Sequence, residues 1–502
     1  MRLKRSVYNI LLGLGSQLVV MALGFVVPRL MMSNYGSEVN GLFSTVNTIY
    51  MCLGLVEAGI GTSALQALYK PVVEKDRQTI NAILSAARRH YHRCAVVYGA
   101  GVAVLSLLAP LVLNTSIGAL TIAGVIALQG LASLTNFYVL SGVTVLLSAE
   151  GKEYVQNNIT MLVTVLTSVV KIVLVNLQVD IVLLQLGYFC VSVLSVMIYV
   201  VYFRRVYPWI DLKQKEPPVE LKQKGAFGIH SITYVIFSNT DLLLLSTFCD
   251  LKVCSVYTVY QMVFSSVLKV INGIFNGLKF NLGHVYNQDR QHYTTLHDTY
   301  KSVYCAFVFA MFSVCYLLIT PFMKLYSRGI EDIVYTDRYL PLLFCLVNLL
   351  SSSRSTENNL ISLAFHAKQT LPRTIAEAIL NLGFSLVLVS RLGIYGCLLG
   401  TIIALLYRTN DIVIYANRRI LGRAPVQAYL TLAANFMGFG GVMVLERYLH
   451  PVLGNYFQFF LWAVALGIPV FLFFCGVNLL ANPRGFAMLR SAVAAKWKEW
   501  RK

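Results

Sequence analysis

Long apolar runs separated by short polar joints recur along the whole chain, and they restrict its fold more than any other feature. A helix needs about 20 mostly apolar residues to cross the hydrocarbon core of a membrane, and runs of roughly this length fill most of the sequence. The chain therefore predicts an all-α integral membrane protein with about fourteen transmembrane helices. The predicted spans lie near residues 8–32, 39–65, 94–113, 117–147, 155–177, 181–203, 227–248, 256–280, 303–320, 339–363, 374–389, 394–415, 429–445 and 457–480.

Composition excludes a soluble globular protein. Hydrophobic residues make up 57% of the 502 positions, charged residues only 13%, and the mean hydropathy is +0.67. The net charge of +19 would suggest nucleic-acid binding in a soluble protein. Here the positive charges are concentrated in the segments that are predicted to be cytoplasmic. With the N-terminus placed inside, the inner segments hold roughly 31 Lys and Arg residues and the outer segments about 6. Both termini are therefore predicted to be cytoplasmic, and no nucleic-acid partner is expected.

A short repeat divides the predicted spans into two halves. Lys75-Asp76-Arg77-Gln78 recurs as Gln288-Asp289-Arg290-Gln291 after the second span of each half, and Gly59 and Gly273 have nearly the same offset. Because both halves start inside and hold six spans, the repeat is predicted to be parallel, although chance similarity of apolar helices is an alternative. The predicted parts are six-helix bundles at 1–203 and 227–415, a basic cytoplasmic linker at 204–226, two additional helices at 416–480 and a basic cytoplasmic tail at 481–502.

Two of the inner connectors show features beyond positive charge. The connector from Lys70 to Arg93 contains four apolar residues at helical spacing, namely Ile80, Ile83, Leu84 and Ala87. This spacing predicts an amphipathic helix that lies on the cytoplasmic leaflet. The linker at 204–226 either joins the two halves or serves only as an anchor to anionic lipids. The first apolar run lacks a signal-peptide cleavage site and is predicted to be an uncleaved helix.

Four ionisable residues occupy matching positions in the two halves. Arg29 and Glu57 lie in the first two spans, and the repeat offset places them opposite Asp241 and Lys269 respectively. Helices one and seven, and two and eight, are predicted to face each other, so these residues form candidate pairs across a central cavity. The pairs either hold the halves together as buried ion pairs, or act in gating, coupling or substrate binding.

Arg354, Glu357 and Lys171 are further charged residues of interest inside predicted spans. Arg354 and Glu357 belong to the most hydrophilic intramembrane segment, 351–357, and share one helix face. They either neutralise each other, or Arg354 binds substrate while Glu357 contributes to a gate or to coupling. Lys171 in the fifth span either snorkels to the membrane surface or binds substrate. A cavity that contains Arg29, Arg354, Lys171 and Lys269 would prefer an anionic head group, because arginine donates paired hydrogen bonds to phosphate.

No motif indicates catalysis or a resident cofactor. The sequence contains no G-x-S-x-G, no Walker lysine motif and no H-E-x-x-H, and its ten cysteines include no C-x-x-C. The cysteines are predicted to be small buried hydrophobes. We therefore expect neither an enzyme nor a metal site, and leave coupling to H⁺ or Na⁺ open.

Several motifs in the first two spans and in the second half point to a known family. They are Pro28-Arg29, Tyr35-Gly36, Gly41-Leu42, Gly54-Leu55-Val56-Glu57-Ala58-Gly59-Ile60-Gly61, Asn239-Thr240-Asp241, Glu377-Ala378-Ile379-Leu380-Asn381-Leu382, Gly393-Ile394-Tyr395-Gly396 and Gly400-Thr401-Ile402-Ile403-Ala404. Together they resemble bacterial polysaccharide-export and lipid-linked oligosaccharide flippases of the multidrug/oligosaccharidyl-lipid/polysaccharide (MOP) exporter superfamily. The second-half motifs are similar to the seventh, eleventh and twelfth helices of that family.

This resemblance implies a two-bundle, V-shaped fold that alternates access to a cavity lined by helices one, two, seven and eight. The implied activity is the flipping of a polyprenyl-diphosphate-linked oligosaccharide to the outer leaflet of the bacterial cell membrane, for surface polysaccharide biosynthesis. Membrane lipids and the glycosyltransferases and polymerase of the pathway are implied partners. Cavity arginines in related lipid II flippases are implicated in recognising the diphosphate, and Arg29 is the positional match here.

Two alternatives remain open. A multidrug or small-molecule antiporter of the same superfamily, coupled to a cation, typically has about twelve spans and an acidic cavity. A membrane polysaccharide polymerase typically has a sizeable outer loop, whereas the longest predicted outer loop here, 321–338, is short.

Overall fold

The computed structural model describes residues 2–211, 224–288, 290–449, 451, 453–483, 485 and 487. Within these residues the chain is helical and contains no strand, so the all-α prediction is confirmed. The chain divides into two compact units, Met1–Val256 and Tyr257–Lys502. Most of the predicted linker, most of the predicted tail and Asp289 of the repeat motif lie outside the described residues. The predicted domain boundaries stay predictions.

The first unit is built from α1 to α8 and the first residues of α9. The helices are α1 (Arg2–Tyr35), α2 (Ser37–Leu53), α3 (Ile60–Glu74), α4 (Arg77–Val112), α5 (Ala119–Ala149), α6 (Glu153–Asn176), α7 (Ile181–Val206), α8 (Lys224–Phe248) and α9 (Leu251–Gln288). The second unit contains the rest of α9 and α10 (Arg290–Tyr326), α11 (Leu340–Ser353), α12 (Ser355–Leu363), α13 (Ala367–Leu392), α14 (Ile394–Tyr415), α15 (Val426–Glu446) and α16 (Tyr456–Ala481).

The helices match the predicted membrane spans. Ten described segments are long and apolar enough to cross a membrane, and three shorter apolar helices, Val19–Tyr35, Ala119–Thr135 and Val235–Phe248, add to them. Each predicted span coincides with one helix or with two consecutive helices. The second span is divided into α2 and α3, and the tenth into α11 and α12.

The division of the second span has a local cause. A short 3₁₀ turn, Gly54–Glu57, follows α2, and Gly59 then adopts a left-handed conformation with a φ of 85° before α3 begins. Only glycine adopts this conformation readily, because it has no Cβ to clash. Gly273, its partner in the predicted repeat, lies within the continuous helix α9. The two halves therefore differ at this point.

The prediction of an amphipathic helix that lies on the cytoplasmic leaflet is wrong. Residues 77–93 form the first part of α4, which continues without interruption into the membrane span and is capped by the Asp76 carboxylate. Its apolar residues, Ile80, Ile83, Leu84 and Ala87, are at most 4% exposed. They pack in a core with residues of α3, α5 and α7, so their apolar surface contacts protein and not lipid. These residues do form a helix with an apolar face, as their spacing predicts. The spacing does not reveal whether protein or lipid covers that face.

The helices α13 and α14 pack closely through glycines. A Cβ atom at Gly396 would overlap the backbone of Leu388, and one at Gly400 would overlap the backbone of Ser385. These two glycines form a G-x-x-x-G motif, which lets transmembrane helices approach each other closely. Between the same helices the Asn381 amide donates to the Thr401 hydroxyl at 2.7 Å.

The last two helices pack on α10. Phe309 of α10 contacts Phe436 of α15 and Phe474 of α16, with ring centroids 5.0 and 5.9 Å apart. The buried amides of Asn435 and Asn478 exchange hydrogen bonds of 3.0 and 2.8 Å between α15 and α16. This exchange satisfies both amides inside apolar surroundings, where an unpaired polar group would be costly.

We predict that Gly400→Leu strongly destabilises the second unit, because the larger side chain separates α13 from α14. Gly383→Leu is the matched control, since a Cβ atom at Gly383 of α13 would meet no other atom within 4 Å. Thermal unfolding of the detergent-solubilised protein measures the effect, and equal melting temperatures for the two variants would contradict the close helix contact.

Candidate functional site

Two cations of the first unit lie at similar depth on neighbouring helices. α1 packs on α6, and the Tyr35 hydroxyl at the end of α1 donates to the Val179 carbonyl just after α6, at 2.6 Å. Both helices therefore end on the same side. Arg29 lies six residues before the end of α1 and Lys171 five residues before the end of α6, which places them about 9 and 8 Å from those ends.

Lys171 is turned towards aromatic rings. Its ammonium lies 5.6 Å from the ring centroid of Phe43 in α2 and 5.0 Å from that of Tyr188 in α7. Both distances fall within the range of cation–π attraction. Among the described residues it forms no ion pair. Since it points to neighbouring helices, snorkelling to the membrane surface does not describe it; its predicted role in substrate binding stays a prediction.

Glu57 occupies the end of the 3₁₀ turn that interrupts the second span. This turn packs against α8, the helix that carries Asp241. The Cys94 thiol donates to the Val56 carbonyl at 3.3 Å and so satisfies one of the backbone acceptors that the interruption frees. The partly buried Glu57 carboxylate is thus held on irregular backbone within the depth of a membrane span.

Asp241 is buried in α8, with 6% of its surface exposed. The two polar residues before it bond to their own helix: the Asn239 amide donates to the Val235 carbonyl at 2.9 Å, and the Thr240 hydroxyl donates to the Ile236 carbonyl. The side-chain donors of Asn239 and Thr240 are thus satisfied within α8 itself. Asp241 and Glu57 are therefore two carboxyl groups on adjoining elements of the first unit.

Lys269 lies on an exposed face of α9 in the second unit. Its predicted pairing with Glu57 would join the two units and stays a prediction. The pairing of Arg29 with Asp241 and the gating or coupling role of these four residues are likewise predictions.

Arg354 and Glu357 do not neutralise each other, which corrects one of the two interpretations of this segment. Arg354 lies at the break between α11 and α12 and pairs with Glu377 of α13 at 2.5 Å. Glu357 forms an ion pair with Lys301 of α10 and accepts a hydrogen bond from Thr356 at 2.7 Å. Lys301 and Glu357 are 2% and 0% exposed, so this pair is fully enclosed by protein.

The Arg354–Glu377 pair belongs to a larger network. Arg408 of α14 contacts the second Glu377 oxygen at 3.4 Å and also pairs with Asp411, which in turn accepts from Arg373 at 3.3 Å. The network holds three cations and two carboxylates of α11 to α14. We call it the Glu377 network: Arg354, Arg373, Glu377, Arg408 and Asp411.

Sequence reasoning missed most of this network. The charge pattern assigns Arg408 and Lys301 to the cationic residues of the inner loops, yet they are 4% and 2% exposed and belong to ion pairs. The sum of inner charges therefore includes buried residues. The signal that identifies them is a pattern of opposite charges near the same end of adjacent spans, because Glu357, Glu377 and Asp411 all lie near the predicted cytoplasmic side.

A further ion pair fixes the start of α10. Asp298 accepts two hydrogen bonds from the guanidinium of Arg423, of 2.6 and 2.5 Å, a bidentate geometry of high specificity. The Asn482 amide after α16 donates to the Asp298 backbone carbonyl at 3.2 Å. α10 is thereby connected to the segments that flank the last two helices. Within the described residues no group of three His, Cys, Asp or Glu side chains is arranged to hold a metal ion.

Comparison with solved structures establishes the class of fold. No protein-family model and no curated protein matches the chain. The lipid II flippase MurJ in an inward closed conformation matches with a TM-score of 0.65 and 12% identity, over 93% of this chain and 99% of that one. An inward-facing MATE multidrug resistance transporter of the MOP superfamily matches with a TM-score of 0.64 and 15% identity, over 82% and 98%. A MOP superfamily transporter from Pyrococcus furiosus, described by the reverse polarity of its binding pocket, matches with a TM-score of 0.55 and 15% identity, over 84% and 97%.

At these identities the similarity shows the fold: the chain folds like the transporters of the MOP superfamily. The all-helical transporter fold that the sequence motifs implied is therefore confirmed, whereas the V shape and the central cavity stay predictions.

We predict that Lys301→Met and Glu357→Gln each lower the free energy of unfolding by about 3–5 kcal/mol, because each leaves one buried charge without its partner. The double variant should recover most of this loss, since no lone charge remains. Lys70→Met is the control: the Lys70–Glu74 pair is exposed, and such pairs contribute at most about 1 kcal/mol. Unfolding titrations in detergent micelles measure the differences, and single variants as stable as Lys70→Met would disprove the enclosed pair.

Proposed function

We propose that this protein flips a polyprenyl-diphosphate-linked oligosaccharide from the cytoplasmic to the outer leaflet of a bacterial cell membrane, for surface polysaccharide biosynthesis. The observation that carries the proposal is the placement of Arg29 and Lys171 at similar depth on the neighbouring helices α1 and α6. A cation inside a membrane span has a large energetic cost, and such residues usually face a substrate, a partner or a cavity. Both side chains are cationic, so a carrier with anionic groups, such as a polyprenyl diphosphate, suits them as a ligand.

The extent of the structural similarity supports the same class of substrate. The lipid II flippase matches 93% of this chain, whereas the MATE transporters match 82 to 88%. The additional share is consistent with α15 and α16, which lie beyond the twelve spans typical of the multidrug transporters. A carrier with a long lipid tail and a charged head group suits a protein whose long apolar helices carry cations within their membrane-spanning parts.

Within this proposal the residues have separate roles. Arg29 binds the diphosphate, since its planar guanidinium donates two parallel charge-assisted hydrogen bonds. Arg354, the third predicted ligand, is held by Glu377 and would bind the substrate only after this pair opens. Glu57 and Asp241 in the first unit, and Lys269 and Glu357 in the second, act in gating or in coupling to H⁺ or Na⁺. The protein is a transporter and not an enzyme, and glycosyltransferases and a polymerase supply and consume its substrate.

A multidrug antiporter is the second candidate, and two observations favour it. The first unit provides two carboxyl groups, the partly buried Glu57 and the buried Asp241, and several matching structures are MATE transporters. Purified protein in liposomes separates the two functions: an ion gradient should drive a cationic dye across the membrane if the protein is an antiporter, and the lipid-linked oligosaccharide should stay on its side.

The direct test follows the flipping of a polyprenyl-diphosphate oligosaccharide with a fluorescent sugar, using a membrane-impermeant reductant that bleaches only the outer leaflet. We predict that Arg29→Ala lowers the initial rate at least about tenfold, as expected for the loss of a charge-assisted hydrogen bond. Arg29→Lys should keep part of the activity, because it retains the charge without the planar fork.

Arg391→Ala serves as the matched control, since Arg391 is exposed at the end of α13. Normal flipping by well-folded Arg29→Ala would show that Arg29 is structural. Failure of the native protein to flip any lipid-linked sugar would reject the proposed function itself.

A further inference from the structure

A cluster of amides joins three helices of the first unit around Gln129. The Gln129 amide of α5 donates to the Asn47 side-chain oxygen of α2 at 2.8 Å and accepts a hydrogen bond from the Gln185 amide of α7. The Tyr188 hydroxyl of α7 also hydrogen-bonds to the Gln129 side chain. The Tyr188 ring in turn lies beneath the Lys171 ammonium of α6. We call these five residues the Gln129 cluster: Asn47, Gln129, Lys171, Gln185 and Tyr188.

Two groups of the cluster lack a full set of partners among the described residues. Gln185 is fully buried, and its side-chain oxygen has no hydrogen-bond partner among the described residues, whereas nearly all buried polar atoms in proteins have one. Lys171 likewise forms no ion pair within the described part of the chain, and the cluster supplies ring faces and amides but no carboxylate. One acceptor and one cation of the same cluster are therefore incompletely satisfied by the protein.

The cluster is also accessible. Asn47 is exposed at the edge of the cluster, and Lys171 is partly exposed with its ammonium turned inward over the rings, while Gln129 and Gln185 lie behind them at 8% and 0% exposure. A ligand that reaches Asn47 therefore meets a polar wall that continues into the helix bundle. A purely structural network would be expected to be closed and fully paired, which this one is not.

The chemistry of the cluster fits an acidic sugar. Side-chain amides both donate and accept hydrogen bonds, which matches sugar hydroxyls, and lysine supplies a compact point charge suited to a carboxylate. Resting on the function proposed above, we propose that the Gln129 cluster recognises the oligosaccharide of the carrier and that Lys171 selects one that bears a carboxylate. Arg29 binds the diphosphate in this proposal, so Arg29 and Lys171 recognise different groups of one substrate.

The test compares two carriers that differ in a single sugar, glucuronic acid in one and glucose in the other, in the liposome flipping assay. The native protein should flip the acidic carrier about tenfold faster or more, the magnitude of one charge-assisted hydrogen bond. Lys171→Met should remove most of this preference, because it slows the acidic carrier much more than the neutral carrier. Lys171→Arg should keep the preference, and Lys70→Met, a matched exposed lysine, should behave like the native protein.

Each other outcome overturns the proposal in a distinguishable way. If the ratio of the two rates is unchanged in Lys171→Met, then Lys171 does not recognise the carboxylate of the sugar. An equal loss on both carriers assigns Lys171 to the diphosphate or to helix packing. If the native protein flips neither carrier, the proposed function fails by itself. Calorimetry can then test the sugar subsite separately, by comparing the binding of a soluble glucuronate disaccharide with that of its glucose counterpart to the native protein. This measurement also applies if Lys171→Met does not fold. Equal affinity for the two disaccharides would reject the proposed subsite.

Discussion

The cost of placing a charge in a hydrocarbon environment governs both units of this protein. A charged side chain within a membrane-spanning helix needs a partner, a polar cavity or a ligand. Several charges of the second unit meet this demand within the protein: Lys301 and Glu357 form an enclosed ion pair, and the Glu377 network links α11 to α14. The result is a set of helices connected by ion pairs at one end and by glycine contacts and apolar packing elsewhere.

The first unit meets the same demand differently. Lys171 lies over the rings of Phe43 and Tyr188, which compensate a charge less completely than a carboxylate does. The carboxyl groups of Glu57 and Asp241 lie on adjoining elements, one of them at an interruption of the helix. Irregular backbone at membrane depth is tolerated where protein or a cavity surrounds it. Within the described residues, Lys171 thus differs from the ion-paired cations of the second unit, and this difference is the reason for placing the proposed anionic substrate in the first unit.

Sequence patterns predict the positions of the membrane helices well, because each run of apolar residues has to satisfy its own backbone in lipid. They predict the charge partners poorly. Arg354 and Glu357 share a helix face, but each bonds to another helix, and Glu357 reaches Lys301, which is 56 positions away. Spacing along one helix reveals only local pairs, whereas ion pairs between helices depend on which helices are neighbours. The same limit explains α4, since a helical apolar face does not reveal whether protein or lipid covers it. The break at Gly59 is a further case, because the predicted second span runs through it as one helix. The substrate is a matter of side-chain chemistry and not of fold, since transporters of drugs and of lipid-linked sugars share this architecture.

The leaflet that holds the substrate in the absence of the protein tests the central claim most directly, because the result does not depend on which sugar the carrier bears. Cells depleted of the protein can be probed with an impermeant reagent that labels lipid-linked oligosaccharide only on the outer face. If the protein is a flippase, the carrier accumulates on the cytoplasmic face, where the reagent cannot label it until the membrane is permeabilised. Accumulation of already flipped, unpolymerised carrier on the outer face would contradict it.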